Sequence, residues 1–190
     1  MVVIEILYQR KIGSPLVERV LVLLSTVYSV ALRAGELRDD PPPEFVEPHR
    51  GQYNSEYLLS YYSSTMRPPR GGRLAILLDE DAYVPGLNFV FGEALPGWGG
   101  IVYVPRLRPE FYGKPPDDSL LALRIAKEVV HEIGHSLGLG HCPNYNCVMW
   151  FSNSIVDTDR KGLMYCRECI AKLESLGLGH FVKRLGEEAR

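Results

Sequence analysis

The sequence predicts an α/β (α+β) fold: one compact domain in which a twisted mixed sheet is backed by helices. Three observations lead there. Residues 2–8, Val-Val-Ile-Glu-Ile-Leu-Tyr, are rich in β-branched side chains and read as a strand, and shorter runs of this type recur at 74–78, 89–91 and 101–104. Two longer stretches carry helix-start signals instead, one at Ser14-Pro15 and one at Asp117-Asp118. The composition suits a sizeable core: of 190 residues 46% are hydrophobic, and 14 prolines and 18 glycines punctuate the chain.

In chain order, Ser14 caps and Pro15 opens a helix expected over residues 15–34. Its apolar run, Leu21 to Leu32, is bracketed by Arg19 and Arg33. It is shorter than the about 20 residues a membrane span needs and lies too far from the start for a signal peptide, so a buried core helix is expected. Residues 35–52, with Asp39-Asp40-Pro41-Pro42-Pro43 and Pro48, read as a surface connection. Asn54 or Ser55 caps a short helix with Leu58, Leu59, Tyr62 and Met66 on one side. Its tyrosines, Tyr53, Tyr57, Tyr61 and Tyr62, are read as packing. The segment 67–72 ends that helix, Pro96-Gly97-Trp98-Gly99-Gly100 turns the chain between strands, and 105–116 is a loop.

Asp117 or Asp118 then caps a helix on which Leu120, Leu123, Ala126, Val130, Ile133 and Leu137 recur at three- and four-residue steps as one buried stripe. A final helix is expected over 167–183, broken by Gly177 and Gly179. His49 and His180 are read as surface residues. The net charge of −2 gives no electrostatic case for nucleic acid or an anionic membrane, and a monomer is expected.

The second helix carries the chemistry. It ends in His131-Glu132-Ile133-Gly134-His135-Ser136-Leu137-Gly138-Leu139-Gly140-His141. Four residues apart on a helix, His131 and His135 project from one face and can grip a single Zn²⁺. Gly138 can take positive φ, end the helix and let the chain bring His141 back to the same ion. Three neutral imidazoles leave a fourth position for water, and Glu132 can reach that water without being a ligand. The His-Glu-x-x-His core alone arises by chance in roughly one chain in 200 of this length, and the fixed Gly and third His make chance far rarer. A catalytic zinc is therefore preferred to solvated histidines.

All four cysteines fall between 142 and 169: Cys142, Cys147, Cys166 and Cys169. Two close pairs separated by a loop suit a tetrahedron of thiolates around a structural zinc. Two disulfides are the alternative, but nothing in the sequence signals an oxidising compartment, and a cytoplasmic location is expected. Arg160, Lys161 and Arg167 lie close enough in sequence to offset the cluster's negative charge.

The segment 131–169 closely resembles the archaemetzincins, a family of metzincin zinc peptidases, whose signature is this histidine motif followed by the cysteine pattern. The resemblance implies a metzincin-like fold, with the chain divided at about residue 138 into a sheet-and-helix part and a zinc-stapled part. It implies that Met149 forms a methionine turn that packs beneath the metal without ligating it. It also implies that 89–94 is the edge strand to which an extended peptide adds antiparallel, with Phe89, Val90 and Phe91 as substrate-binding residues. Some metzincins supply a tyrosine two residues after that methionine; here the position is Phe151. The expected function is hydrolysis of peptide bonds with two Zn²⁺, one catalytic and one structural, and Glu132 as general base. The rival readings are a zinc-stabilised peptide-binding module and hydrolysis of a non-peptide amide. Intact Glu132 argues against the first, since binding alone does not need that carboxylate.

Overall fold

The strand expected at the start of the chain forms as β1 (Val3–Tyr8) in a computed structural model that describes residues 1–183. It leads through Gly13 into α1 (Ser14–Val27), with Pro15 in the first turn. This helix is shorter than expected. Leu16, Val17, Val20, Leu24 and Val27 are buried at helical spacing, but Tyr28 is extended and the chain continues as β2 (Ala31–Glu36), parallel to β1. The apolar run thus spans two elements, and hydrophobicity alone does not separate a buried helix from a strand. A distant segment fixes the boundary. The Val27 carbonyl, which a longer helix would use internally, accepts from the amide of Lys183 at 2.8 Å, and the amide of Ser29 donates to the Phe181 carbonyl at 2.9 Å.

The expected connection over 35–52 contains two short strands, β3 (Val46–Glu47) and β4 (Gln52–Asn54). Asn54 caps α2 (Ser55–Thr65), its side chain accepting from the amide of Tyr57. β5 (Arg73–Leu78) follows, then β6 (Ala82–Tyr83), which the sequence does not signal, then the hairpin of β7 (Gly92–Leu95) and β8 (Gly99–Tyr103). The main sheet has the order β2-β1-β5-β8-β7, parallel except for the antiparallel edge strand β7, and β3-β4-β6 form a smaller sheet. β5 is buried on both faces, as an interior parallel strand should be. Ala75 and Leu77 face a core shared with α1, and Leu74, Ile76 and Leu78 face a second core against α2.

The strand expected at 89–91 is displaced. Phe91 is buried in the first core with Phe89 packed edge-on against it at 5.1 Å, and the edge strand begins only at Gly92. Residues 89–91 have strand-like composition because they pack. Gly-Glu-Ala-Leu forms a strand because β8 offers a partner, which is how context overrides β-propensity.

The site helix is α3 (Asp118–Ser136), whose N-cap Asp117 accepts from the amide of Leu120 at 2.9 Å. It packs on β8, β7 and α1. Beyond it come α4 (Ile155–Arg160), opened by a reciprocal Ser154–Asp157 cap, and α5 (Arg167–Ser175). The expected final helix to 183 stops at Ser175, with Gly177 at φ 73°. Its remainder is a short turn (Gly179–Phe181) and the clasp onto the end of α1. Among the described residues no helix is long and apolar enough to cross a membrane.

Candidate metal centres and active site

α3 is not the one-striped helix its apolar period suggests. Leu120 and Leu123 are only half-buried, while Arg124, Lys127 and Glu128 are buried and partnered. Arg124 holds Asp159 through two contacts of 2.7 Å, and Lys127 donates to the carbonyls of Thr158 and Asp159 at 2.9 Å. Glu128 accepts from the Thr158 hydroxyl and pairs with Lys161, each at 3.0 Å. These polar residues fasten α3 to α4 and leave the helix enclosed on nearly all sides. Lys161 therefore serves the helix rather than the cysteine cluster, contrary to expectation. Arg160 stays near the cysteine loop, stacked over Tyr145 at 4.9 Å.

The helix ends as its glycine predicts. Gly138 has φ 96°, its amide donates to the His135 carbonyl at 2.9 Å, and the Leu139 amide donates to that of Gly134 at 3.0 Å. This turn brings His141 beside the other two rings, with ring centres 5.4 Å from His131 and 4.8 Å from His135. His131 Nδ1 meets the Val148 carbonyl and His135 Nδ1 the Leu139 carbonyl, both at 2.8 Å. A carbonyl only accepts, so each Nδ1 carries the proton and each Nε2 is a bare lone pair. Those two Nε2 atoms stand 3.1 Å apart. Two lone pairs at that distance repel unless a cation lies between them, and tetrahedral zinc would hold two such nitrogens about 3.3 Å apart. The donor set fits the metal. Burial, chiefly, holds the His131 pKa well below its ordinary value, aided by the Lys161 ammonium and the neighbouring His135. Burial likewise lowers His135 and His141. All three rings stay neutral and available as ligands.

The four cysteines form a second group, their sulfurs within 4.8 Å of one another. Cys142–Cys166 and Cys147–Cys169 are each separated by 3.7 Å between sulfurs, against about 2.05 Å in a disulfide and about 3.8 Å between thiolates on tetrahedral zinc. Burial, chiefly, pushes the Cys166 thiol up to about 12 and raises Cys169, while at Cys142 burial is outweighed by hydrogen bonds from Asn144 and the other sulfurs, which hold it below its ordinary value. The amide of Cys166 donates to the Cys147 sulfur at 3.3 Å.

A short segment couples the two groups. Val148 lies between Cys147 and Met149; its amide donates to the Met164 carbonyl at 3.0 Å while its own carbonyl orients His131. Met149 is fully buried in the turn closed by the Trp150 amide on the Cys147 carbonyl at 3.0 Å. It presses so close to α3 that a Cβ at Gly134 would lie 2.4 Å from its sulfur. Tyr165, next to Cys166, donates to the Val130 carbonyl at 2.7 Å and supports the helix from the same side.

Glu132 fills a slot made by two more glycines. A Cβ at Gly92 would lie 2.6 Å from its Oε1, and one at Gly100 would lie 2.6 Å from its Cβ. Burial, then the nearby Glu128, raises its pKa well above the ordinary carboxylate value, which suits a proton acceptor that must later donate. The site opens into a cleft of about 720 Å³. One wall is 87–94, including the expected Phe89, Val90 and Phe91; the other is the motif together with Phe151, Ser152 and Asn153. Phe151 packs its ring on His141 at 4.8 Å and carries no hydroxyl to offer.

The family model for peptidase family M54 matches residues 42–175. The chain belongs to that family. The archaemetzincin of Pyrococcus furiosus is 48% identical to this M54 chain over 134 residues, 70% of each. Two solved structures share the fold at a TM-score of 0.75. One is the archaemetzincin of Methanopyrus kandleri, 36% identical and covering 92% of this chain and 94% of its own. The other is described as a zinc-dependent peptidase from Methanocorpusculum labreanum, 30% identical and covering 90% and 99%. The resemblance carried by residues 131–169 holds, and by family the chain is a metalloprotease.

What sequence reasoning missed at this site is Gly92, Gly100, Gly134 and the buried Glu128 and Lys161. One signal was available: a glycine inside a helix with a strong apolar period, such as Gly134, marks a close approach. Gly134→Ala should therefore cost about 1–3 kcal/mol by overpacking and weaken metal retention at the three histidines. Denaturant melts and chelator competition check this; a variant equal to the parent in both would show that Met149 does not brace the helix.

Proposed function

We propose that this M54 peptidase is zinc-dependent, with His131, His135 and His141 holding the catalytic ion and Glu132 acting as general base. The observation that carries the reading is the pair of bare Nε2 lone pairs at 3.1 Å beside a carboxylate fitted into a glycine slot. When bound, zinc would supply a Lewis acid that polarises the scissile carbonyl and acidifies water. The Glu132 carboxylate takes the proton of the attacking water and returns it to the leaving nitrogen. Its buried setting favours both steps, because burial makes it a stronger base than an exposed glutamate and keeps the proton from bulk water. Met149 shapes the floor and is no ligand.

Cys142, Cys147, Cys166 and Cys169 are assigned a second, structural zinc, which staples the part after residue 138 to the same domain. Four unbonded thiols suit a reducing compartment, and we assign the protein to the cytoplasm on that ground.

The substrate strand is assigned to the free edge of β7. The Tyr103 amide donates to the Phe91 carbonyl at 2.9 Å, which makes these two a hydrogen-bonded pair. Bonded and unbonded pairs alternate along an antiparallel ladder, so Glu93 turns its polar groups toward β8 while Gly92 and Ala94 turn theirs outward. An extended peptide would pair with Gly92 and Ala94, and Phe89, Val90 and Phe91 would contact it as the adjoining wall.

A peptide-library digest with zinc, read by mass spectrometry, tests the activity. Glu132→Gln should lower turnover by about 10²–10⁴-fold with zinc content unchanged; undiminished cleavage would sink the mechanism. Ala94→Pro removes an outward amide and spares the β8 ladder, so peptide binding should weaken about tenfold, and equal affinity would place the substrate elsewhere. Metal analysis should find two zinc ions per chain. A small chelator at neutral pH should take the open-sited one first, silencing the enzyme while melting stays cooperative; simultaneous loss of both would refute separate sites.

A further inference from the structure

The cleft wall contains a carboxylate that the catalytic reading leaves unused. Glu128 lies one turn before Glu132 on α3 and is 2% exposed. Its Oε1 accepts from the Thr158 hydroxyl at 3.0 Å, and the buried Lys161 ammonium pairs with it by charge at 3.0 Å without a hydrogen bond of its own. Thr158 and the Lys161 side chain are both 0% exposed, so neither is free to move away. Among the described residues Oε2 meets no donor, yet Glu128 forms part of the cleft wall near Phe151, Ser152 and Asn153. Glu128 stands outside the three-histidine group.

An occupant that displaces water from Oε2 must offer a donor in its place. Removing an ion pair from water is offset only when the remaining lone pairs also find partners, and an ionised carboxylate only accepts. Thr158 and Lys161 hold Oε1, which leaves Oε2 as the acceptor available to what enters the cleft. No Lys or Arg lines the cleft among the described residues, so the wall offers Glu128 no cation besides Lys161 behind it. A further polar atom in the same wall, Ser152 Oγ, is buried without a partner. An apolar occupant would leave both atoms dry, and an acidic one would face Oε2 with like charge.

We propose that Glu128 is a specificity-determining residue whose Oε2 accepts a hydrogen bond from an N–H group at the tip of an unbranched substrate side chain. The carboxamide of glutamine and the ammonium of lysine both supply that donor. The subsite lies between α3 and the 151–153 segment, where the apolar stem of such a side chain runs past Phe151 and only the tip reaches the carboxylate. The proposal rests on the peptidase reading, which makes this cleft the substrate site.

The test uses zinc-loaded Glu132→Gln protein, which should hold peptides without cleaving them. Labelled peptides carry Gln, Lys, norleucine or Glu at each position in turn, and binding is read by fluorescence anisotropy. At one position Gln or Lys should bind about tenfold tighter than norleucine, the order expected of one hydrogen bond to a charged group, with Glu weakest. The Gln and Lys arms distinguish a neutral from a cationic donor. Adding Glu128→Gln should bring all four within about twofold. Because that change strands the Lys161 charge, Glu128→Gln with Lys161→Met is measured alongside it. Equal binding of the four peptides at every position, or a preference that survives both variants, overturns the proposal. Cleavage of the same peptides by the parent protein is scored separately. Cleavage without a binding preference removes the subsite and keeps the peptidase, while a Glu128-dependent preference without cleavage keeps the subsite and removes the peptidase.

Discussion

The contact on which the site depends is the 2.8 Å hydrogen bond from His131 Nδ1 to the Val148 carbonyl. It sets the tautomer, turns the bare Nε2 toward His135, and binds the helix to a turn held on either side by Cys147 and Met149. Without it the ring could donate from either nitrogen, and the lone-pair geometry that calls for a cation would be lost. The acceptor is a backbone carbonyl whose own amide is tied to Met164, so its position is set by the main chain of the cysteine-bearing segment. The two cysteine pairs and the three histidines are thus one construction: the cluster shapes the turn, and the turn aims the His131 ring.

That construction needs α3 to be enclosed, and enclosure brings charges inside. Arg124, Lys127 and Glu128 are buried because the segment after the methionine turn folds back over the helix, and each finds a partner on α4 or just beyond it. Breaking one member of such a pair strands its partner at a cost of about 3–5 kcal/mol. The ladder therefore holds the 151–161 segment firmly in register with α3, and the second cleft wall is as well fixed as the first. A polar interior at this place stabilises less than an apolar one would. What it secures is the position of a wall.

The gathering of the histidines and of the cysteines was legible in the sequence because residue type and spacing together imply a common centre. His131, His135 and His141 share one helix and its terminating turn, and Gly138 announced the positive φ that it adopts. The cysteines came together as their pairing implied. The fold was legible where one local signal dominated: the proline-opened start of α1, the Asn54 cap of α2 and the apolar run of β5. It failed where a distant partner decided the outcome. β2 exists because β1 pairs with it and because the segment around 181–183 claims the groups at the end of α1. The apolar period of α3 was real, yet it could not reveal that the opposite face is buried by Thr158, Asp159 and Lys161, some thirty residues further along the chain.

The edge strand shows why the remaining error was built into the chemistry. Glu132 is buried beside the cleft, so the sheet next to it has to give way. Gly92 and Gly100 do this on adjacent strands, where any side chain would strike Glu132. Glycine lowers strand propensity and has no face to pack, so the segment that most needs to be an edge strand looks least like one. The neighbouring Phe89-Val90-Phe91 looks like a strand because its side chains are free to be large where no close approach of Glu132 limits them. The weak strand signal at 92–95 and the strong one at 89–91 therefore share a cause: room must be made for Glu132 at one place and filled at the next.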